Sequence, residues 1–342
     1  MYRWKVIYFF SWLASLLINR FKNPSGKNFR NILVIRHDEI GDMITALPVF
    51  DALMKKFPES QISVWCYPLT KPLIENHPAI SHIAVSKSEL KRKYDLIVDL
   101  RGNFETIGYA LKHGPYYRLD RGTVRFKNKF ALPQHPHEVL ANLQIIMPVI
   151  GQIPQEPELN LYLNEENYRK ADEYLLSNSI SDFVLLHTGA RKKLRQWPSK
   201  KFSMLASLLK EKYGWDTVIA GTSEELPEIE KLQSLIPFKT FSFTGYSLTD
   251  FAALASKADC FVGNESGPMH IAAAMKIPVV GLFGPGEPHT FSPFGKKATY
   301  IHHQLKCNPC DQVHCVQPDN PCINLIEVHE VMEKIKEVIS LK

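Results

Sequence analysis

Runs of five or six mostly apolar residues recur along the chain, several of them followed by a polar turn and then by apolar positions at helical spacing. Residues 31–36 (NILVIR), 61–67 and 96–100 predict buried strands, and a helix is predicted over 42–56 after the polar turn 37–41. A proline-rich connection at 153–159 marks a boundary, after which the pattern restarts. Strands are predicted at 182–187, 216–220, 260–263 and 279–283, with helices at 198–212, 225–235, 250–257 and 271–275. Strand and helix in alternation predict parallel sheets with right-handed crossovers. The expected fold class is therefore α/β, two doubly wound Rossmann-like domains facing a cleft, with ligands at the carboxyl ends of the strands. The expected divisions are 1–27, 28–157 and 158–342.

The N-terminal segment breaks this pattern. Residues 6–18 are apolar apart from two serines and would form a helix of about 20 Å, short of the ~30 Å needed to cross a bilayer. Val6, Phe9, Phe10, Leu13, Leu16 and Leu17 fall on one side, Ser11, Ala14 and Ser15 lie elsewhere, and Trp4, Tyr8 and Trp12 supply interfacial rings. Arg3, Lys5, Arg20, Lys22, Lys27 and Arg30 surround the run without a single acid. The reading is an amphipathic helix lying in a membrane surface, joined by a linker at 23–27 and removable without harm to the rest. A secretory signal peptide and a helix packed on the body are the alternatives, the first disfavoured because 19–22 offers no small-x-small cleavage site.

Composition sharpens this picture. The 342 residues suffice for about two domains, and 45% hydrophobic with 22% charged residues excludes a disordered or polytopic membrane chain. The net charge of +6 resides wholly in residues 1–30, since the remaining 35 basic and 35 acidic side chains cancel. A nucleic-acid-binding body is thereby disfavoured. Cys66 and Cys260 sit in strand-like runs as small hydrophobes, whereas Cys307, Cys310, Cys315 and Cys322 form C-x2-C-x4-C-x6-C. Four such thiols could hold a structural zinc, form a redox-labile or disulfide-bonded loop, or stay unliganded. With no export signal, the cytosol is the expected compartment and stable disulfides are disfavoured.

The candidate chemistry lies after predicted strands. Asp42, preceded by Gly41, is either a helix N-cap or a general base for a hydroxyl. The segment 264–270 (NESGPMH) places Ser266 and Gly267 at a helix start, where free N–H groups favour phosphate; His270 is a ligand contact or a core histidine. The loop 187–198 carries four cations, one or two of which could meet a diphosphate, or it is a solvated basic loop. The chain has no G-x-x-x-x-G-K-[ST], no strand-following G-x-G-x-x-G, no G-x-S-x-G and no H-E-x-x-H, so kinase, dehydrogenase and common hydrolase readings lose support.

Taken together, Ile32-Leu33-Val34-Ile35-Arg36, Ile40-Gly41-Asp42, Leu47-Pro48 and Phe57-Pro58, followed by Gly263 to His270, Ala273-Ala274, Pro278 and Leu282-Phe283-Gly284-Pro285, resemble glycosyltransferase family 9, the ADP-heptose:lipopolysaccharide heptosyltransferases. The resemblance covers nearly all of the chain after residue 30. It implies a GT-B fold with an N-terminal acceptor domain, a C-terminal nucleotide-sugar domain and a last helix, here 326–341, that crosses back. It implies an inverting, metal-independent transfer of heptose from ADP-heptose to a lipopolysaccharide-core or other lipid-linked saccharide, with Asp42 as general base and no required cofactor.

The donor contacts implied are Arg195 for the diphosphate, Thr188 and Gly189 in the phosphate loop, an acid at Glu224 or Glu225 (Glu225 preferred) for the ribose, and Glu265, Ser266, Gly267 and His270. Glu265 stands where the family has Asp, one methylene shorter. The expected location is peripheral, on the cytosolic face of the inner membrane, with no nucleic-acid partner. A family relative using another nucleotide sugar, or a non-catalytic nucleotide-sugar-binding protein, are the alternatives.

Overall fold

The apolar runs become strands of two separate, all-parallel sheets in the computed structural model, which describes residues 2–90, 93–127 and 136–341. The chain divides into two compact units, Met1–Tyr162 and Leu163–Lys342.

The first unit runs α1 (Tyr2–Ile18), β1 (Asn31–Arg36), α2 (Ile40–Ile44), α3 (Leu47–Lys56), β2 (Gln61–Cys66), β3 (Ile80–Ala84), β4 (Leu96–Asp99), α4 (Phe104–His113), β5 (Tyr117–Asp120), α5 (Arg121–Lys127) and α6 (Glu138–Ile150). Its sheet order is β3-β2-β1-β4-β5, so the winding reverses between β1 and β4. That switch point is where a doubly wound sheet leaves room for a ligand. Ile32 to Ile35 and Leu96 to Val98 are buried on both faces, which is why these strands read as unbroken apolar runs. The single helix expected over 42–56 is instead two, α2 and α3, because Pro48 suits the first turn of a helix and not its interior.

The N-terminal helix is not the detachable appendage expected, because its serine side is packed on the first unit. Ile7, Ser11, Ala14 and Ser15 are its buried positions, whereas Val6, Phe9, Phe10, Leu16 and Leu17 are 41–58% exposed. Arg118 of β5, fully buried, explains the attachment: it donates to the Ser11 carbonyl (2.9 Å), Ser11 Oγ (3.0 Å), Ser15 Oγ (2.7 Å) and Asp99 (2.9 Å). Asp120 lies 3.3 Å from the same guanidinium. Gly122 allows the close approach, since a Cβ there would meet the Tyr8 carbonyl at 2.5 Å. Removing residues 1–27 would uncover this charge cluster, so the segment is a structural part of the first unit. The side chain of Trp4 lies outside the described residues. Among the described residues no helix is long and apolar enough to cross a membrane.

The second unit runs α7 (Glu165–Asn178), β6 (Phe183–His187), α8 (Ser199–Tyr213), β7 (Asp216–Gly221), α9 (Leu226–Gln233), β8 (Phe241–Thr244), α10 (Leu248–Ala255), β9 (Cys260–Asn264), α11 (Gly267–Ala274), β10 (Val279–Phe283), α12 (Pro288–Phe291), β11 (Ala298–His302) and α13 (Val328–Ile339). The order β11-β10-β9-β6-β7-β8 puts its switch point between β9 and β6. The last helix contributes Val331, Ile335 and Val338 to this unit's core, beside Leu205, Val280 and Ile301. Each such buried aliphatic is worth roughly 1.5–3 kcal/mol.

Candidate active site

Both switch points carry the residues singled out from the sequence. In the first unit, Asp42 is in the first turn of α2, whose N-cap is Glu39, so the N-cap alternative for Asp42 does not hold. Arg36, the last residue of β1, is 1% exposed and reaches across the turn. It donates through Nε to the Asp42 carbonyl (3.1 Å) and through one Nη to Asp42 Oδ1 (3.0 Å) and Glu138 Oε1 (2.9 Å). Its other Nη bonds the Leu100 carbonyl (3.2 Å) and stands 3.3 Å from Asp38, which also pairs with Arg101. Arg121 grips Glu138 with both amino groups and adds the Leu100 carbonyl and Asn142.

The electrostatics separate the two acids. Burial raises the Asp42 carboxyl above its ordinary value, with Glu138 adding to the rise while Arg36 and Arg121 oppose it. Burial would also raise Glu138, yet Arg121 and Arg36 outweigh it and hold that carboxyl down at about 2. Glu138 is therefore a permanent anion, and Asp42, with 21% of its side chain accessible, is the carboxylate left facing outward.

In the second unit, Asn264 at the end of β9 ties the switch point together, donating to the Thr188 carbonyl (2.7 Å) and accepting from the Trp197 N–H (3.0 Å). Trp197 is buried, in keeping with a packing role. Ser266 caps α11, with its hydroxyl 3.1 Å from the Asn264 carbonyl and 3.4 Å from His187. Arg195 donates to Gln312 (2.7 Å) and stands 3.3 Å from Glu265 Oε1. Glu265 is 6% exposed, and burial lifts its carboxyl to about 7 against the pull of Arg195, with Glu287 adding to the lift. Its Oε2 is buried without a hydrogen-bond partner. Gly286 is required beside it, because a Cβ there would overlap this carboxylate.

A cavity of about 330 Å³ opens at the carboxyl ends of β6, β7 and β8, lined by His187, Thr222, Glu224, Phe243, Tyr246 and Pro268 among others. The Phe243 and Tyr246 rings stack at 3.8 Å within its wall. Glu224 lines this cavity. Glu225, the preferred acid in the sequence reading, is folded back with 32% of its side chain accessible, accepting from the Thr222 N–H (2.9 Å), filling the space that Gly189 leaves beside it and standing 4.0 Å from His187. His270 is buried within α11 at 4% exposure. Phe243, Tyr246 and Gln312 were not singled out from the sequence, and nor were Arg121 and Glu138.

The four clustered cysteines line one small cavity of about 30 Å³ together with Leu194 and Pro285. Cys307, Cys310, Cys315 and Cys322 carry free thiols. Among the described residues no three His, Cys, Asp or Glu side chains gather as metal ligands, so the structural zinc that was one of the three readings of the spacing does not fit the side chains as placed.

Residues 83–319 match the family model for glycosyltransferase family 9 (heptosyltransferase). Lipooligosaccharide heptosyltransferase 2 of Campylobacter jejuni subsp. jejuni serotype O:6 is 25% identical over 318 residues, covering 87% of this chain and 96% of its own length. Among solved structures, the family 9 glycosyl transferase of Veillonella parvula superposes with a TM-score of 0.76 at 19% identity, covering 92% of this chain and 98% of the other. The E. coli ADP-heptose lps heptosyltransferase II gives 0.72 at 22% identity, over 91% and 99%. The fold shared with them is GT-B, built from two Rossmann-like domains.

Proposed function

The chain belongs to glycosyltransferase family 9, and from that membership we propose that it moves heptose from ADP-heptose to a lipopolysaccharide-core or other lipid-linked saccharide, with inversion and without a metal. Its likeness to a lipooligosaccharide heptosyltransferase and to an ADP-heptose lps heptosyltransferase supports the donor and the acceptor class. The observation that carries the mechanism is Asp42, which follows β1 at the switch point and holds its carboxylate on Arg36. In this reading Asp42 takes the proton from an acceptor hydroxyl as that oxygen attacks the anomeric carbon; the bond from that carbon to the diphosphate oxygen breaks, and ADP departs.

The charge that develops on the departing diphosphate is met by Arg195 and by the N–H groups of Ser266 and Gly267 at the start of α11. Arg195 would exchange Gln312 and Glu265 for phosphate oxygens. Glu265, titrating near neutrality, supports a contact to a sugar hydroxyl in which its free Oε2 acts as donor or acceptor. Glu224, on the cavity wall, is the better placed acid for the ribose.

The acceptor also suggests where the enzyme works. The exposed apolar side of α1, with Lys5, Arg20, Lys22 and Lys27 around it and no acid in residues 1–30, supports peripheral binding to an anionic cytosolic membrane surface. The deciding experiment incubates purified protein with ADP-heptose and lipopolysaccharide-core acceptors in EDTA and follows ADP release with acceptor mass. A heptose-sized gain matched by ADP is the expected result. Turnover only with another nucleotide sugar would replace the donor, and turnover with none would leave a binding protein.

A further inference from the structure

Arg36 holds two carboxylates with one amino group, and only one of them faces outward. We propose that Glu138 is a positioning residue for Asp42: it takes a share of the Arg36 guanidinium, so that Arg36 can aim Asp42 without neutralising it as a base. The inference rests on the reading of Asp42 as general base.

The geometry carries the argument. Arg36 fixes Asp42 twice, at its backbone carbonyl and at Oδ1, which sets the direction of the carboxylate. An arginine paired with an aspartate alone would lower its basicity, a poor arrangement for a proton acceptor. Glu138 Oε1, 2.9 Å from the same Nη that serves Asp42, offsets that charge. Glu138 is itself immobile, because Arg121 clasps both of its oxygens and is anchored in turn on the Leu100 carbonyl and Asn142.

The groups that bear on Asp42 come from four elements. They are Arg36 from β1, the Glu39 backbone at the start of α2, Arg121 from α5 and Glu138 from α6. Asp38 and Arg101 lie one step further out on Arg36, and Tyr8 of α1 acts on Arg101 and Arg121. Counted as formal charges, Arg36, Arg101 and Arg121 balance Asp38, Asp42 and Glu138. Neutralising Glu138 leaves the group one positive charge in excess, facing Asp42.

The test is the pH profile of kcat in five proteins: the parent, Asp42→Ala, Glu138→Gln, Glu138→Asp and Arg121→Gln. Glu138→Gln keeps the shape and loses the charge, and its acid limb is expected to move to lower pH by on the order of one unit, with a several-fold lower plateau. Glu138→Asp keeps the charge and should return the limb to its parental position. Arg121→Gln removes a cation and should move the limb to higher pH, which decides the matter even where Glu138→Gln fails to fold. An acid limb unmoved in a folded Glu138→Gln or Arg121→Gln protein overturns the role of Glu138. Parental turnover in Asp42→Ala overturns instead the reading of Asp42, so the two failures are distinguishable.

Discussion

The two units place their chemistry at equivalent points of the same kind of sheet and furnish those points in opposite ways. At the β1/β4 switch point most charged side chains are held by one another, Arg36 between Asp42 and Glu138 and Arg121 on Glu138, and on the neighbouring edge strand Arg118 stands between Asp99 and Asp120 with only its Nε left without a hydrogen bond. At the β6/β9 switch point the chain offers small residues, a helix start and an open cavity, and it leaves a buried oxygen of Glu265 without a partner. A base has to be aimed before its substrate arrives, so its neighbours are fixed beforehand. A donor site has to be completed by the donor, so some of its polar groups are left waiting.

Substitutions can break this contrast in order of size. Asp42→Ala should lower kcat by ~10²–10⁴ while leaving ADP affinity, read by titration calorimetry, near its parental value. Arg118→Ala should cost about 3–5 kcal/mol in the denaturant unfolding of the first unit, because it strands buried Asp99 and Asp120.

Glu265→Gln should act the opposite way and only at high pH. The Glu265 carboxyl is raised to about 7 in the folded chain, so its contribution to stability is complete below the ordinary carboxylate range and is lost as pH rises through 7. The glutamine variant should therefore match the parent near pH 4 and exceed it at pH 8, by on the order of 1–3 kcal/mol. Thermal melts at the two pH values would show this. An equal melting difference at both would mean that Glu265 is already ionised. The smallest stability effect belongs to Leu16→Ser with Leu17→Ser on the outward side of α1. These changes should move stability by less than about 0.5 kcal/mol each yet abolish co-sedimentation with anionic vesicles.

What the sequence made legible follows from which physical signal each feature leaves. Strands buried on both faces, such as β1, β6 and β10, leave continuous apolar runs and were predicted within a residue or so. Among the edge strands, β3, β8 and β11 are only partly buried and show no such run, while β5 is largely buried but interrupted by Arg118 and ends on Asp120, and these were not predicted. The place of Asp42 in the turn after β1 was legible from its neighbours in sequence. Its link to Glu138 was not, because Arg36 and Glu138 are separated by 102 positions and no local pattern marks the pair. In α1 the spacing correctly grouped the apolar positions on one side, but periodicity does not say which side is covered. That was decided by Arg118, a polar residue that favours serines over leucines as neighbours. Glu224 and Glu225 are adjacent and chemically alike, and only the turn at Thr222 separates the cavity-facing acid from the folded-back one.

The 107 positions between Ser11 and Arg118 also set a clock during synthesis. At about 5–20 residues per second, the ribosome completes the partner of α1 roughly 5–20 s after α1 itself. Throughout that interval the helix has no folded body to lie against, and its basic, apolar sequence is presented on a growing chain. A nascent polypeptide held in this way has time to reach a lipid surface first. On the membrane binding proposed above, the first unit would then be completed at that surface, with the serine side of α1 turned towards the arriving arginine.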